Sequence, residues 1–175
     1  MSGEVEYRES VRLKFTYFYA TDGTYAKYRA AVEACGWQQN YLLNQFTSSF
    51  VKKNLEYYQE ALAKMAAAMD IPAEELYELC RSDAEPILPK YVNGHPDIGP
   101  SPLAPYWDLT TQTASRRTVG GVKMSGRNAV AFRLAAHIDR ESVALTISRI
   151  AQWHLDTYWD RIYAPQLAGD LKQTL

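Results

Sequence analysis

The sequence lacks most of the features that announce a function. It has two cysteines, Cys35 and Cys80. Two lone thiols in a chain of this size read as reduced core residues rather than as a disulfide framework, and they predict a cytoplasmic setting. No apolar run approaches the roughly 20 residues that cross a bilayer, so no membrane association is expected. The first ten residues, MSGEVEYRES, are acidic and polar, unlike a secretory signal. Neither ExxH nor HExxH occurs at the three histidines, His95, His137 and His154. No metal and no cofactor is therefore expected. There is no G-x-S-x-G, and neither cysteine has a histidine near it in sequence. No catalytic residue is expected, and the sequence leans away from an enzyme. Net charge is also nearly absent, at −1.

The near-neutral total hides an asymmetry. Residues 1–90 hold 13 acids and 10 bases, whereas residues 91–175 hold 7 acids and 9 bases. Between Leu109 and Ile138 lie Arg116, Arg117, Lys123, Arg127 and Arg133, with no Asp or Glu. A local field of one sign matters more for partner choice than the total does.

The chain of 175 residues fits one domain, 1–175, with an ordinary apolar content of 47%. Its patterning predicts a mainly α fold: a helical bundle with a small antiparallel β element. Residues 10–19 alternate, with Val11, Leu13, Phe15, Tyr17 and Tyr19 on one side and Arg12, Lys14 and Thr16 on the other, which is the period of a half-buried strand. From about 24 to 69 an apolar stripe recurs in steps of three and four without proline, from Tyr25 through Phe46 and Tyr57 to Met65. The preferred reading is one long helix of up to about 69 Å, bent near Ser48. The alternatives are breaks at Gly36 or at Thr47-Ser48-Ser49. Asp70 is placed to cap a following acidic helix, with Pro72 in its first turn.

Six of the eight prolines fall between 86 and 105, so 86–112 reads as a proline-rich ordered loop strapped onto the body by its large rings. Pro102-Leu103-Ala104-Pro105 also has the spacing of a polyproline ligand. A C-terminal helical pair follows from Asn128 to Tyr163, hinged near Asp139-Arg140 and ended by Pro165 and Gly169. In its second helix Val143, Ile147, Ile150 and His154 form the apolar face. Thr146, Arg149 and Trp153 lie opposite.

The stretch SRRTVGGVKMSGR, residues 115–127, carries four cations and three glycines. Valines flank Gly120-Gly121, a pair that suits a primed turn, so residues 115–126 read as a hairpin that pairs with strand 10–19. That turn would put Arg116, Thr118, Lys123 and Ser125 on one face, with the two cations roughly 7–8 Å apart on a diagonal. Three readings compete: a phosphate held on helix-terminal N–H groups after a glycine-rich loop, a merely solvated turn, and a protein interface that contacts acidic residues. The order G-x-x-x-x-G-K-[ST] of a P-loop is missing.

Residues 134–151, LAAHIDRESVALTISRIA, resemble a helix-turn-helix, with a connection about two residues longer than usual. Thr146, Ser148 and Arg149 are the residue types that such a recognition helix presents. Trp153 falls about 130–140° from the centre of the apolar face at 100° per residue. There it either stacks a base beside Arg149 or is covered by the proline-rich loop or a partner chain. Since neutralising phosphates is the main source of nucleic-acid affinity, the leading expectation is a non-catalytic nucleic-acid-binding protein, or a small helical subunit of a nucleoprotein complex. Its expected contacts are Arg116, Arg117, Lys123, Arg127, Arg149 and Trp153. The alternative is a structural subunit with a protein partner or a homo-oligomer, to which 13 tyrosines and four tryptophans are suited.

Overall fold

The computed structural model describes residues 12–35, 39–81, 98–106 and 114–173. It is mainly α with a small two-stranded antiparallel sheet. In chain order the elements are β1 (Arg12–Ala20), α1 (Asp22–Cys35), α2 (Gln39–Lys53), α3 (Leu55–Ala68), α4 (Ala73–Arg81), β2 (Ser115–Ser125), α5 (Gly126–Asp139), α6 (Val143–Tyr158), a π-helical turn (Trp159–Tyr163) and α7 (Ala164–Gln173).

The range read as one helix, 24–69, is helical but is delivered as α1, α2 and α3. Gly36 lies in the gap 36–38, outside the described residues. Among the described residues the helix is interrupted at Asn54, not at Ser48. Asn54 leaves helical geometry at φ −114°, ψ 20°, and its side-chain Nδ2 donates to the Phe50 carbonyl at 2.9 Å. A short amide that competes for backbone partners bends a helix in this way. At the start of α1 the cap is Thr21: its Oγ1 accepts from the Thr24 N–H at 3.2 Å. Asp22 and Thr24 lie inside the helix.

Asp70 closes α3 instead of capping α4. It adopts φ +56°, while the Asp70 N–H donates to the Ala67 carbonyl and the Ile71 N–H to the Ala66 carbonyl. That pair of bonds is a Schellman closure with a left-handed residue after the helix. Arg140, at φ +54°, closes α5 identically through His137 and Ala136. The expected hinge at Asp139-Arg140 is therefore this closure. The helix after it runs beyond Pro165. A proline in the first turn of a helix costs little because its missing N–H has no partner there, and the wide turn at Trp159–Tyr163 lets the chain continue into α7.

The Gly120-Gly121 turn does not form. Residues 115–125 are one continuous strand, paired antiparallel with β1 from Arg12↔Ser125 to Ala20↔Ser115. Between the pairs Phe15↔Val122 and Tyr17↔Thr118, β1 supplies Thr16 while β2 supplies Val119, Gly120 and Gly121. The glycines thus sit in a bulge, the other common reason for glycine in a strand. As a consequence Arg116 and Lys123 lie on the order of 20 Å apart along the strand at ~3.3 Å per residue, not on one short diagonal. The face of β1 is also corrected: Phe18 and Ala20 are fully buried, while Tyr17 and Tyr19 are half-buried. The phenols keep their polar tips near water and the purely apolar side chains take the core face.

The core is built around α5, which is buried at every position from Ala129 to Ala135. A helix apolar nearly all round belongs in the interior. Phe18, Leu42, Leu43, Phe46, Phe50, Ile147 and Ile150 pack in the same cluster. No helix among the described residues is long and apolar enough to cross a membrane.

Candidate functional site

The cations that the sequence groups together are dispersed by the fold. Arg116 is exposed, with its guanidinium 3.8 Å from the centre of the Tyr17 ring. Arg117 bonds Asp22 at 2.5 Å and lies over Tyr25. The Lys123 side chain lies outside the described part of the structure. Arg133 is 3% exposed and donates to the Cys80 carbonyl at 2.8 Å. Arg149 is 6% exposed. Its Nη1 meets Glu141 Oε1 at 2.9 Å, and its Nη2 donates to the carbonyls of Leu103 at 2.8 Å and Tyr106 at 3.3 Å.

Thr146 and Ser148, the other residues of the expected recognition face, are also buried. The reason is that α6 is covered on both sides. Ser148 Oγ accepts the Tyr19 N–H at 2.7 Å and so fastens α6 to β1. Small hydroxyl side chains permit that close approach. The helix-turn-helix reading is overturned, because the face that would enter a groove is already occupied by β1 and the loop.

Of the proline-rich loop, residues 98–106 are described, whereas 86–97 and 107–112 lie outside the described residues, His95 among them. Leu103 is fully buried. Pro102 to Pro105 form tight turns closed by Ala104 N–H to Ser101 and Tyr106 N–H to Leu103, so this stretch is not a polyproline helix. Ser101 Oγ donates to Asp139 Oδ2 at 3.0 Å and Tyr57 Oη to the Gly99 carbonyl at 3.3 Å. Burial raises the Asp139 carboxyl above its usual range, against the opposing pull of Ser101 and Arg149. Tyr106 lies on Trp153, so the loop covers one face of that ring.

One cation from the sequence set stands in a different setting. β2 runs without a linker into α5 at Gly126, whose φ of +52° makes the corner. Arg127 and Asn128 then occupy the first turn of α5. Opposite them, Gln45, Ser48, Ser49 and Lys52 line one side of α2, at spacings of three and four. Together these six side chains enclose an open cleft of about 540 Å³. Asn128 Nδ2 donates to Ser48 Oγ at 3.1 Å and ties the two walls. Every lining residue carries a hydrogen-bond donor and none is acidic. The first N–H groups of α5 have no intrahelical partner, and the positive end of its dipole is here.

A second cavity, of about 260 Å³, opens on the neighbouring side of α2. Phe46, Phe50, Tyr106, Trp153, His154 and Tyr158 line it, with Lys53 and Ser49 beside them. His154 stacks on Phe46 at 4.3 Å. Burial pushes its imidazole down to about 4, so the ring is neutral at pH 7. The Cys80 thiol is pushed up to about 12 by burial, which makes it inert as a nucleophile. Among the described residues no three metal-ligating side chains converge.

No protein-family model, curated protein or solved structure matches this chain. Sequence reasoning named Arg127 but missed its neighbours. Their only signal was Gln45, Ser48 and Lys52 falling on one helical face, and nothing local connects that face to a residue 75 or more positions away.

Proposed function

We propose that the chain is a non-catalytic nucleic-acid-binding protein, or a small helical subunit of a nucleoprotein complex, acting in the cytoplasm. It holds phosphates in the cleft between α2 and the first turn of α5. The observation that carries this reading is the lining of that cleft: six donor side chains, two of them cationic, and no carboxylate. Lys52 and Arg127 have no acidic partner among the described residues, so their charge is available to a ligand. Phosphate contacts of this kind position a backbone without reading its sequence. Arg116, exposed on the sheet beside Tyr17 and Tyr19, supplies an outlying contact. Arg117 and Arg149 serve the fold instead, and Trp153 belongs to the aromatic cavity.

Retention of labelled oligonucleotides at low salt tests the proposal. Lys52→Ala with Arg127→Ala abolishes retention, whereas Arg117→Ala leaves most of it. Retention unchanged in the double variant removes the cleft from the interface. The competing role, a purely structural subunit, has less support: among the described residues Tyr41 and Ile162 are the large hydrophobic side chains left exposed, too few for the dry centre of a stable interface.

A further inference from the structure

The two cavities share a wall. Ser49 lines both the donor cleft and the aromatic pocket, and Lys52 and Lys53 follow it on α2, one at each opening. A ligand with an anionic part and a flat apolar part can therefore fill both across a single residue. The pocket is mostly ring surface. Tyr158 stands edge-on to Trp153 at 5.9 Å and His154 is tilted against Tyr158 at 4.7 Å. The Lys53 ammonium lies 5.7 Å from the centre of the Trp153 ring. The volume of about 260 Å³ is below the roughly 300–1,000 Å³ of drug-sized sites, so it suits one flat ring system.

The lining also has a polar side. Neutral His154 keeps one donor and one acceptor, and neither ring nitrogen has a hydrogen-bond partner among the described residues. An acyl chain would leave these groups and Lys53 without use, whereas a heterocycle with donors and acceptors along its edge satisfies them. A base inside a duplex cannot enter, because both its faces and its pairing edge are occupied.

We infer that the aromatic pocket takes one unpaired nucleobase of a single strand whose adjoining phosphate lies in the donor cleft. The inference rests on the phosphate-binding reading of that cleft. It makes the protein selective for single-stranded over duplex nucleic acid, without strong dependence on which base is presented, since every base has a face to stack.

Fluorescence anisotropy with three labelled probes tests it: a short oligothymidylate, a wholly abasic strand of the same length, and a duplex. The native protein binds the oligothymidylate about tenfold or more tightly than the abasic strand, within the roughly five- to hundredfold expected for one stacked base. Trp153→Ala removes that ratio and leaves abasic binding as it was. Ile162, which also lines the pocket and is 38% exposed, sits at its rim; Ile162→Trp fills the pocket without emptying the core, has the same effect and covers the case in which Trp153→Ala does not fold. Equal binding of the oligothymidylate and abasic strands, or of duplex and single strand, overturns the inference while leaving the phosphate cleft standing. So does a base-dependent ratio that survives Ile162→Trp. Thymidine monophosphate binding as tightly as the oligomer overturns it in favour of a free-nucleotide site. No binding of any probe at low salt removes this inference and the parent reading together.

Discussion

Tyr106 lies flat on Trp153, with ring centroids 4.7 Å apart and planes 2° from parallel. The contact joins a loop residue to the outward side of α6, and Phe50 meets the same tyrosine edge-on at 5.7 Å. Such aromatic pairs contribute beyond their buried area. Tyr106→Ala is expected to cost about 1–3 kcal/mol, measured as a fall in the urea midpoint. It should also expose the peptide bonds of 98–106 to protease well below the global transition.

Arg149→Ala tests the correction to the expected recognition face. It removes the partner of Glu141 and the donor to Leu103 and Tyr106 in one step. Breaking a buried pair from one side leaves an uncompensated charge and costs about 3–5 kcal/mol, roughly 10 °C in Tm for a chain of this size. Arg127→Ala should leave Tm nearly unchanged. Calorimetry on the two variants separates the structural arginine from the ligand-facing one.

Acid should weaken the fold through His154. Its imidazole is held near 4 in the folded chain and returns to about 6.5 on unfolding. Above pH 6.5 it is neutral in both states and contributes no pH dependence. As pH falls from about 6.5 towards 4 the unfolded chain takes up the proton and the folded chain does not, so stability declines across that window. Asp139, whose carboxyl is raised by burial, is protonated first in the folded state and works in the opposite direction. His154→Phe isolates the histidine: urea midpoints should no longer fall as pH drops from about 6.5 towards 4, leaving only the opposing contribution of Asp139.

Two helix ends carry non-glycine residues in left-handed geometry, Asp70 and Arg140. That conformation costs an L-residue about 1–2 kcal/mol, partly offset by the extra freedom glycine gives the unfolded chain. Asp70→Gly and Arg140→Gly should each stabilise the protein by about 0.5–1 kcal/mol. Denaturant curves with unchanged slopes and higher midpoints are the expected readout.

Several features were legible because their signals are local. The alternation at 10–19 marked β1, the three- and four-residue steps marked the helical content of 24–69, and Asp139-Arg140 marked the junction of α5 and α6. The errors share a cause, which is that the deciding partner is distant in sequence. Gly120-Gly121 suits a turn or a bulge equally, and only the register against β1 decides between them. Thr146, Ser148 and Arg149 look like a solvent face until β1 and 98–106 cover it. The acid-free run around 116–133 suggested a patch, but strand geometry spreads its members and Asp22 takes one of them. The cleft was hidden because α2 supplies four of its six lining residues.

The most direct measurement is the salt dependence of oligonucleotide binding, for the native chain and for Lys52→Ala with Arg127→Ala. For single strands the slope of log K against log salt is about −0.7 per phosphate neutralised. The expected result is a steep native slope, shallower by about 1.4 in the double variant as two phosphate contacts are lost. A native affinity indifferent to salt, or identical slopes for the two proteins, would contradict phosphate binding in the cleft between α2 and α5.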